Sequence, residues 1–473
     1  MRKAILFGAL LALVGTSVFA PAALAEPKVK FHAEVTTRLE HIENFTDFRE
    51  TEDGAFQDRV NFGFYRARIG AHADVGDGVS AFISLQNHGT WGDTFPVPSN
   101  PQDPMIGGLW LTSIIGSNTV SLYEAWVKWE NIGDSAFSAK LGRQEHVLGN
   151  ELHMGDNDFY SGQYFDGLRM MLDYDAWDLE AFYYWIQERD VLPGSLGALD
   201  EGIVANGGSD DQTLWGFSAD FEIADGHDIE PYILVHRQDN EVDLLLPKFN
   251  IITYGLLYER PTEHDSPFDW SVELAGQSGD VGTGADEVDQ SGYAFEGWFG
   301  YTFGDEDASH HRFHIGALML SDSDDAEDLK SFIPLFPDTH RRAGMADIFS
   351  LLSSSFANVA GVSSGTQPLS TFHNLQDIHV GWNWANGRAS HVGAAYHMFT
   401  LSEDDFTDSA GFQFESDDVG DEFDVYYKYM HGEHLGLMVG LGYFMPGDHF
   451  KKDIAEEFDE AVPRLFAQAK FRM

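Results

Sequence analysis

Short runs of alternating apolar and polar residues recur from about residue 28 to the end of this 473-residue chain. Along 79–85 the apolar set is Val79, Ala81, Ile83 and Leu85, and along 425–429 it is Val425, Tyr427 and Tyr429. A period of two gives a strand with one apolar and one polar face. Tight turns and long acidic connections alternate between the runs. Gly76-Asp77-Gly78, Gly133-Asp134, Asp175-Ala176, Asp225-Gly226, Asn386-Gly387 and Gly432 supply residues common in tight turns. The longer connections are 43–57, 89–118, 148–163, 189–211, 239–249, 280–289, 322–371, 403–419 and 447–460. This rhythm predicts an all-β chain: one antiparallel transmembrane β-barrel of about eighteen strands, with short periplasmic turns and long extracellular loops.

The expected strands lie near 28–42, 58–75, 79–88, 119–132, 136–147, 164–174, 177–188, 212–223 and 227–238. The second half follows at 250–260, 268–279, 290–303, 309–321, 372–385, 388–402, 420–431, 433–446 and 461–473. An even strand number puts both termini on the short-turn side, and a barrel of this size encloses an aqueous lumen. The last strand is expected to pair with the first, with Leu465, Ala467, Ala469 and Phe471 toward lipid. Connections 89–118 and 322–371 are long enough to enter the pore or to lie on the surface. Ala343–Leu352 is expected to form a short helix.

The N-terminus fits export. Arg2 and Lys3 precede an apolar core at Ile5–Val14, and Ala23-Leu24-Ala25 offers a small-x-small cleavage site. We therefore read residues 1–25 as a signal peptide and residues 26–473 as the barrel. No later segment is apolar for long enough to form a transmembrane helix. With no cysteine there is no disulfide framework. The mean hydropathy of −0.25 suits a barrel, because half of each strand faces water.

Acidic residues outnumber basic ones by 77 to 28, giving a net charge of −49, or −51 once the two leader bases are removed. Electrostatic binding to nucleic acid is excluded. Against this background, the bases expected to face inward on the first six strands stand out. They are Lys28, Lys30, Arg38, Arg66, Arg68, Lys128, Lys140 and Arg169, opposed by Glu34, Glu40, Asp74, Glu124, Glu130 and Asp173. Alternation places Tyr123, Ala125, Val127 and Trp129 toward lipid on the fourth strand. An arc of lumenal bases favours anions, with Arg66, Arg68, Lys128 and Arg169 at the narrow part of the pore. The same charges also admit a simpler role, as ion pairs that stabilise the wall.

The outer connections carry the opposite sign, as in Glu403, Asp404, Asp405 and Asp408. Asp156 with Asp158, and Asp322 with Asp324, have the spacing of calcium-loop fragments but lack the glycine and closing glutamate of an EF-hand. A loop-bound calcium ion is the only cofactor this leaves open. His310, His311 and His314 cluster in sequence, yet there is no HExxH and no GxSxG, so no enzyme is expected.

The stretch Lys140–Met171 reads KLGRQEHVLGNELHMGDNDFYSGQYFDGLRMM. Its Leu141-Gly142-Arg143-Gln144-Glu145, Leu148-Gly149 and Phe165-Asp166-Gly167-Leu168-Arg169 resemble the alginate-export family of outer-membrane porins. That resemblance implies a monomeric eighteen-stranded barrel in outer-membrane lipid, with a basic constriction that passes a polyuronate. It implies that Arg143 and Arg169 join the pore-side network, with Asp166 as a partner. Arg143, however, shares parity with Leu141. A bulge at Gly142, or a position above the lipid band, would reconcile the two. The resulting expectation is a porin for anionic solutes, with an anionic polysaccharide such as alginate among the candidates. The alternatives are a general or nutrient-uptake porin and, further off, an outer-membrane hydrolase.

Overall fold

The computed structural model describes residues 28–44, 59–92, 120–187, 212–238, 248–261, 266–282, 287–305, 308–322, 328–338, 340–351, 374–387, 389–402, 406–407, 413–414, 416–454 and 459–473. The expected leader and most of connection 89–118 lie outside the described residues.

Eighteen strands form the wall. They are β1 (Lys28–Glu43), β2 (Arg59–Gly76), β3 (Val79–Gly92), β4 (Ser121–Trp129), β5 (Phe137–Gln144), β6 (Phe165–Tyr174), β7 (Trp177–Gln187), β8 (Gln212–Ala224) and β9 (His227–Gln238). Then come β10 (Phe249–Arg260), β11 (Phe268–Val281), β12 (Val288–Asp305), β13 (Ser309–Leu320), β14 (Leu375–Asn386), β15 (Ser390–Leu401), β16 (Asp418–His431), β17 (Leu435–Pro446) and β18 (Val462–Arg472). Each pairs antiparallel with its neighbours, and β18 returns to β1, with Leu39 opposite Ala467 and Val35 opposite Phe471. Closure leaves no strand edge in lipid, where an unpaired backbone group has no water to bond.

Sequence dictates the turns. Between β2 and β3, Asp77 and Gly78 sit at φ 52° and 74°, a left-handed pair that a two-residue hairpin needs. Side chains then alternate around the wall. Val127, Leu141, Leu274 and Leu465 are exposed on the outer face, which is the face that lipid covers. Outer aromatics gather toward the strand ends: Tyr174 stacks on Trp177 at 4.1 Å near the short turns, and Tyr65 on Trp91 at 6.0 Å near the loops. Such belts suit the two membrane interfaces.

One inferred orientation is overturned. The β3–β4 register shifts between Ser84 and Leu85, which pair with Glu124 and Leu122. The bulge turns Tyr123 inward, where it is buried, while Leu122 takes the outer face. The histidine cluster also divides. His310 and His314 face inward by alternation, whereas His311 stacks on Phe303 at 5.2 Å on the outer face.

The core lies inside the barrel. Two connections enter it: residues 145–164 and the described residues 330–351. They pair with each other, with Gly155 N donating to Phe336 O at 2.9 Å and Phe336 N to His153 O at 2.7 Å. Phe332, Ala346, Ile348 and Leu152 pack against inward Ile42, Phe62, Leu320, Leu375 and Phe444. Each large apolar side chain buried in this way contributes on the order of 1.5–3 kcal/mol. The expected helix is one turn, Ile348–Leu351.

Candidate pore and constriction

The lumen has two halves. On the loop side, wall charges grip the inserted segments. Arg66 donates to the carbonyls of Asp158 at 2.7 Å and Tyr160 at 2.8 Å, and pairs with Glu34 at 2.5 Å. Arg68 pairs with Asp158 at 2.8 Å, and its guanidinium lies 3.6 Å from the centroid of the inward Tyr123 ring. Lys470 closes on the same carboxylate at 2.7 Å. Burial pulls the Asp158 carboxyl up, but Arg66, Lys470 and Arg68 outweigh it and hold the pKa at about 2. Arg38 covers the Phe159 ring at 3.5 Å and pairs with Glu40 at 2.5 Å. Glu40 also pairs with Arg464 at 2.7 Å, and Arg464 reaches Asp347 of the second segment. Arg38, Arg66 and Arg464 are essentially removed from solvent.

Polar side chains hold the second segment along its length. Gln277 bonds both backbone groups of Ile333 at 2.7 Å, and Gln290 donates to Ser331 O at 2.6 Å. Arg342 pairs with Glu296 at 2.7 Å and donates to Glu151 O at 3.0 Å, so it joins wall to both segments. Glu422 accepts from Ala346 N at 2.6 Å and Asp424 from Met345 N at 3.0 Å.

On the short-turn side the lumenal charges are arranged differently. Lys128 bonds the exposed Glu130 at 2.6 Å, and the Lys140 ammonium rests 4.3 Å from the Trp126 ring centroid. Arg169 makes a bidentate pair with Glu180 at 2.5 and 2.7 Å. Lys28 and Lys30 stand exposed at the start of β1. By alternation, Asp178 and Glu180 on β7, Asp220 on β8, Asp228 and Glu230 on β9 and Glu259 on β10 face in from the other wall. Asp173 lies directly opposite Asp178 across β6 and β7. The bases lie on one arc, interspersed with Asp74, Glu124, Glu130 and Asp173, and the adjoining arc carries acids.

Arg143 and Asp166 form a bidentate pair at 2.8 and 2.7 Å, with Arg143 on the Tyr164 ring at 4.2 Å. The register through Gly142 is unbroken, so both residues keep the parity of Leu141 and Leu168, on the outer face at the loop end of β5 and β6. The pair staples two strands on that outer face, so Arg143 and Asp166 do not join the pore-side network that the resemblance implies.

The calcium candidates part company. Asp158 is bound by bases. Asp156 lies with Glu151 and Asp338 in a group of carboxylates within 4.8 Å of one another. Burial, then Glu151 and Asp156, push the Asp338 carboxyl up to about 6. Asp322 accepts from Ser331 Oγ, and Asp324 lies outside the described residues.

Sequence reasoning missed segment 145–164 as a lumenal element, along with Arg464 and Arg342; Glu40 it placed in the lumen without its partner Arg464. The uncharged run Ser331–Phe336 and the apolar Leu148, Leu152 and Met154 were the available signals, being out of place in solvated loops.

A closed barrel with an outer apolar belt and a charged, aqueous interior defines an outer-membrane channel, in contact with lipid and built to pass solute. The family described as Alginate export matches residues 37–463, and the chain belongs to it. Solved structures share the fold. OccAB2 of Acinetobacter baumannii superposes with a TM-score of 0.53 at 10% identity, over 94% of this chain and 98% of that one. OccAB4 of the same organism gives 0.52 at 11%, over 96% and 100%. OccK9 (OpdG) of Pseudomonas aeruginosa gives 0.52 at 11%, over 94% and 99%. At these identities the likeness is one of fold. No protein of curated function matches the chain in sequence.

Proposed function

We propose that this outer-membrane porin conducts anionic solutes, among them an anionic polysaccharide such as alginate, as a non-enzymatic monomer. The observation that carries the reading is the segregation of Lys28, Lys30, Lys128 and Lys140 on one lumenal arc near the short turns, in a chain of net charge −49. Among the described residues, neither Lys128 nor Lys140 bonds an inserted segment. Bases at this depth attract an anion arriving from the periplasm. The acidic outer loops repel one arriving from outside, which favours export. Their field is screened within about 8–10 Å at ordinary salt, so it does not cancel the inner arc.

A second reading, a pore for small solutes, is favoured by the two inserted segments, which fill part of the loop-side lumen. Single channels in planar bilayers separate the two. Short oligouronates added to the periplasmic side interrupt the ionic current if the proposal holds, whereas neutral dextrans of equal length do not. Equal response to both leaves the small-solute pore as the better account.

A further inference from the structure

Four neighbouring strands bring imidazoles and carboxylates together on the inner wall. Asp377 and His379 lie two apart on β14, and His397 on β15 sits directly across from His379. Glu422 lies across from His397, and Asp424 is two residues further along β16. The Asp377 carboxylate meets Nδ1 of His379 at 3.0 Å and Nδ1 of His397 at 2.9 Å. The two rings are 4.9 Å apart, and His314 on β13 stands 5.8 Å from His379. Asp377, Glu422 and Asp424 are buried, and among the described residues no lysine or arginine pairs with any of them.

His397 faces a carboxylate on each side, because its Nε2 lies 3.5 Å from Asp424 Oδ2. A neutral imidazole has one N–H and one lone pair, so it cannot donate to both. Glu422 and Asp424 share a side-chain hydrogen bond, and His314 Nδ1 is a buried atom with no hydrogen-bond partner.

We propose that Asp377, His379 and His397 bind one divalent transition-metal ion of the zinc class. One donor atom from each already lies within 4.8 Å of the others. Bonds of about 2.0–2.2 Å to a tetrahedral ion require donor separations of roughly 3.3–3.5 Å, a small adjustment from those present. With the ion on its Nδ1 side, His397 donates Nε2–H to Asp424, the outer-shell arrangement that fixes ring orientation. Two imidazoles and a carboxylate select zinc, nickel or copper over calcium or magnesium. His379, partly open to the lumen, gives the ion an entry path.

The test uses the full barrel in detergent, stripped by chelator and titrated with zinc chloride by calorimetry. One ion per barrel is expected. Affinity falls more than about tenfold in H379A and H397A, and by about 10–100-fold when the outer-shell carboxylate is neutralised in D424N. Heat-modifiable migration confirms that each variant is folded, and H379Q, at the most exposed ligand, serves if H397A does not assemble. Zinc K-edge absorption on the unaltered protein is expected to show two imidazoles in the first shell. Absence of saturable binding, unchanged affinity in the histidine variants, or an edge spectrum without imidazole scattering overturns the proposal, leaving a doubly protonated His397 as the neutralising cation.

Discussion

The two halves of the lumen use the same residue types for different ends. Near the loops, Arg38, Arg66 and Arg464 point inward, yet all are buried against inserted chain and consumed by Glu34, Glu40, Asp347 and backbone carbonyls. Near the short turns, Lys28 and Lys30 are exposed, while Lys128 and Lys140 make only local contacts. Facing the lumen is thus not the same as facing the solute. A guanidinium suits the first task because its fork reaches several carbonyls and carboxylates at once; an ammonium on a flexible stem suits the second.

The largest expected effect removes both halves together. Deleting residues 469–473 takes away the part of β18 that pairs with Glu34–Thr37, opening an edge in lipid. Loss of the folded, heat-modifiable species is expected; normal assembly would show that closure tolerates a shorter seam.

A smaller effect separates the halves. R464A leaves buried Glu40 with Arg38 alone and buried Asp347 with His340 alone, at a cost of up to about 3–5 kcal/mol. The barrel is expected to assemble with segment 330–351 loosened, read as new protease cleavage there and larger, noisier conductance. Ion selectivity is expected to hold, because the lysines lie elsewhere. A selectivity change as large as the conductance change would blur the distinction between the halves.

The smallest effect concerns pH and the joint between the two segments. Asp338 has its pKa raised to about 6, so the folded state binds more protons than the unfolded chain through that window. Stability contributed at this joint is therefore greater below the window and is lost as pH rises through about 6. Asp158, held near 2, behaves oppositely, and its contribution persists until strongly acid conditions. Hydrogen-exchange protection at residues 151–156 and 336–338, taken relative to the intrinsic exchange rate at each pH, is expected to be greater at about pH 5 than at about pH 7.5. Equal protection at the two pH values would mean that the carboxylate group is not felt by the fold.

The wall was legible because strand alternation is a local signal. The expected run 177–188 is the strand Trp177–Gln187, and 250–260 is Phe249–Arg260. Alternation failed at Tyr123, where a one-residue bulge reverses parity without any mark in the sequence. It placed Arg66 and Lys128 on the inner face, but could not tell which would be covered. Covering depends on segments 145–164 and 330–351, whose place inside exists only once the barrel has closed. The His379–His397–Asp377 group was hidden for a related reason: His397 is far from His379 in sequence and meets it only through strand register.

The most direct test of the account compares two variants with equal loss of charge. K128Q/K140Q strips the open half, and R66Q/R68Q strips the clamped half. Reversal potentials are measured across planar bilayers under a salt gradient. The account predicts that K128Q/K140Q moves the pore clearly toward cation preference, while R66Q/R68Q mainly raises conductance and noise by freeing the segment around Asp158. An unmoved reversal potential in K128Q/K140Q, or a larger shift in R66Q/R68Q, would contradict it.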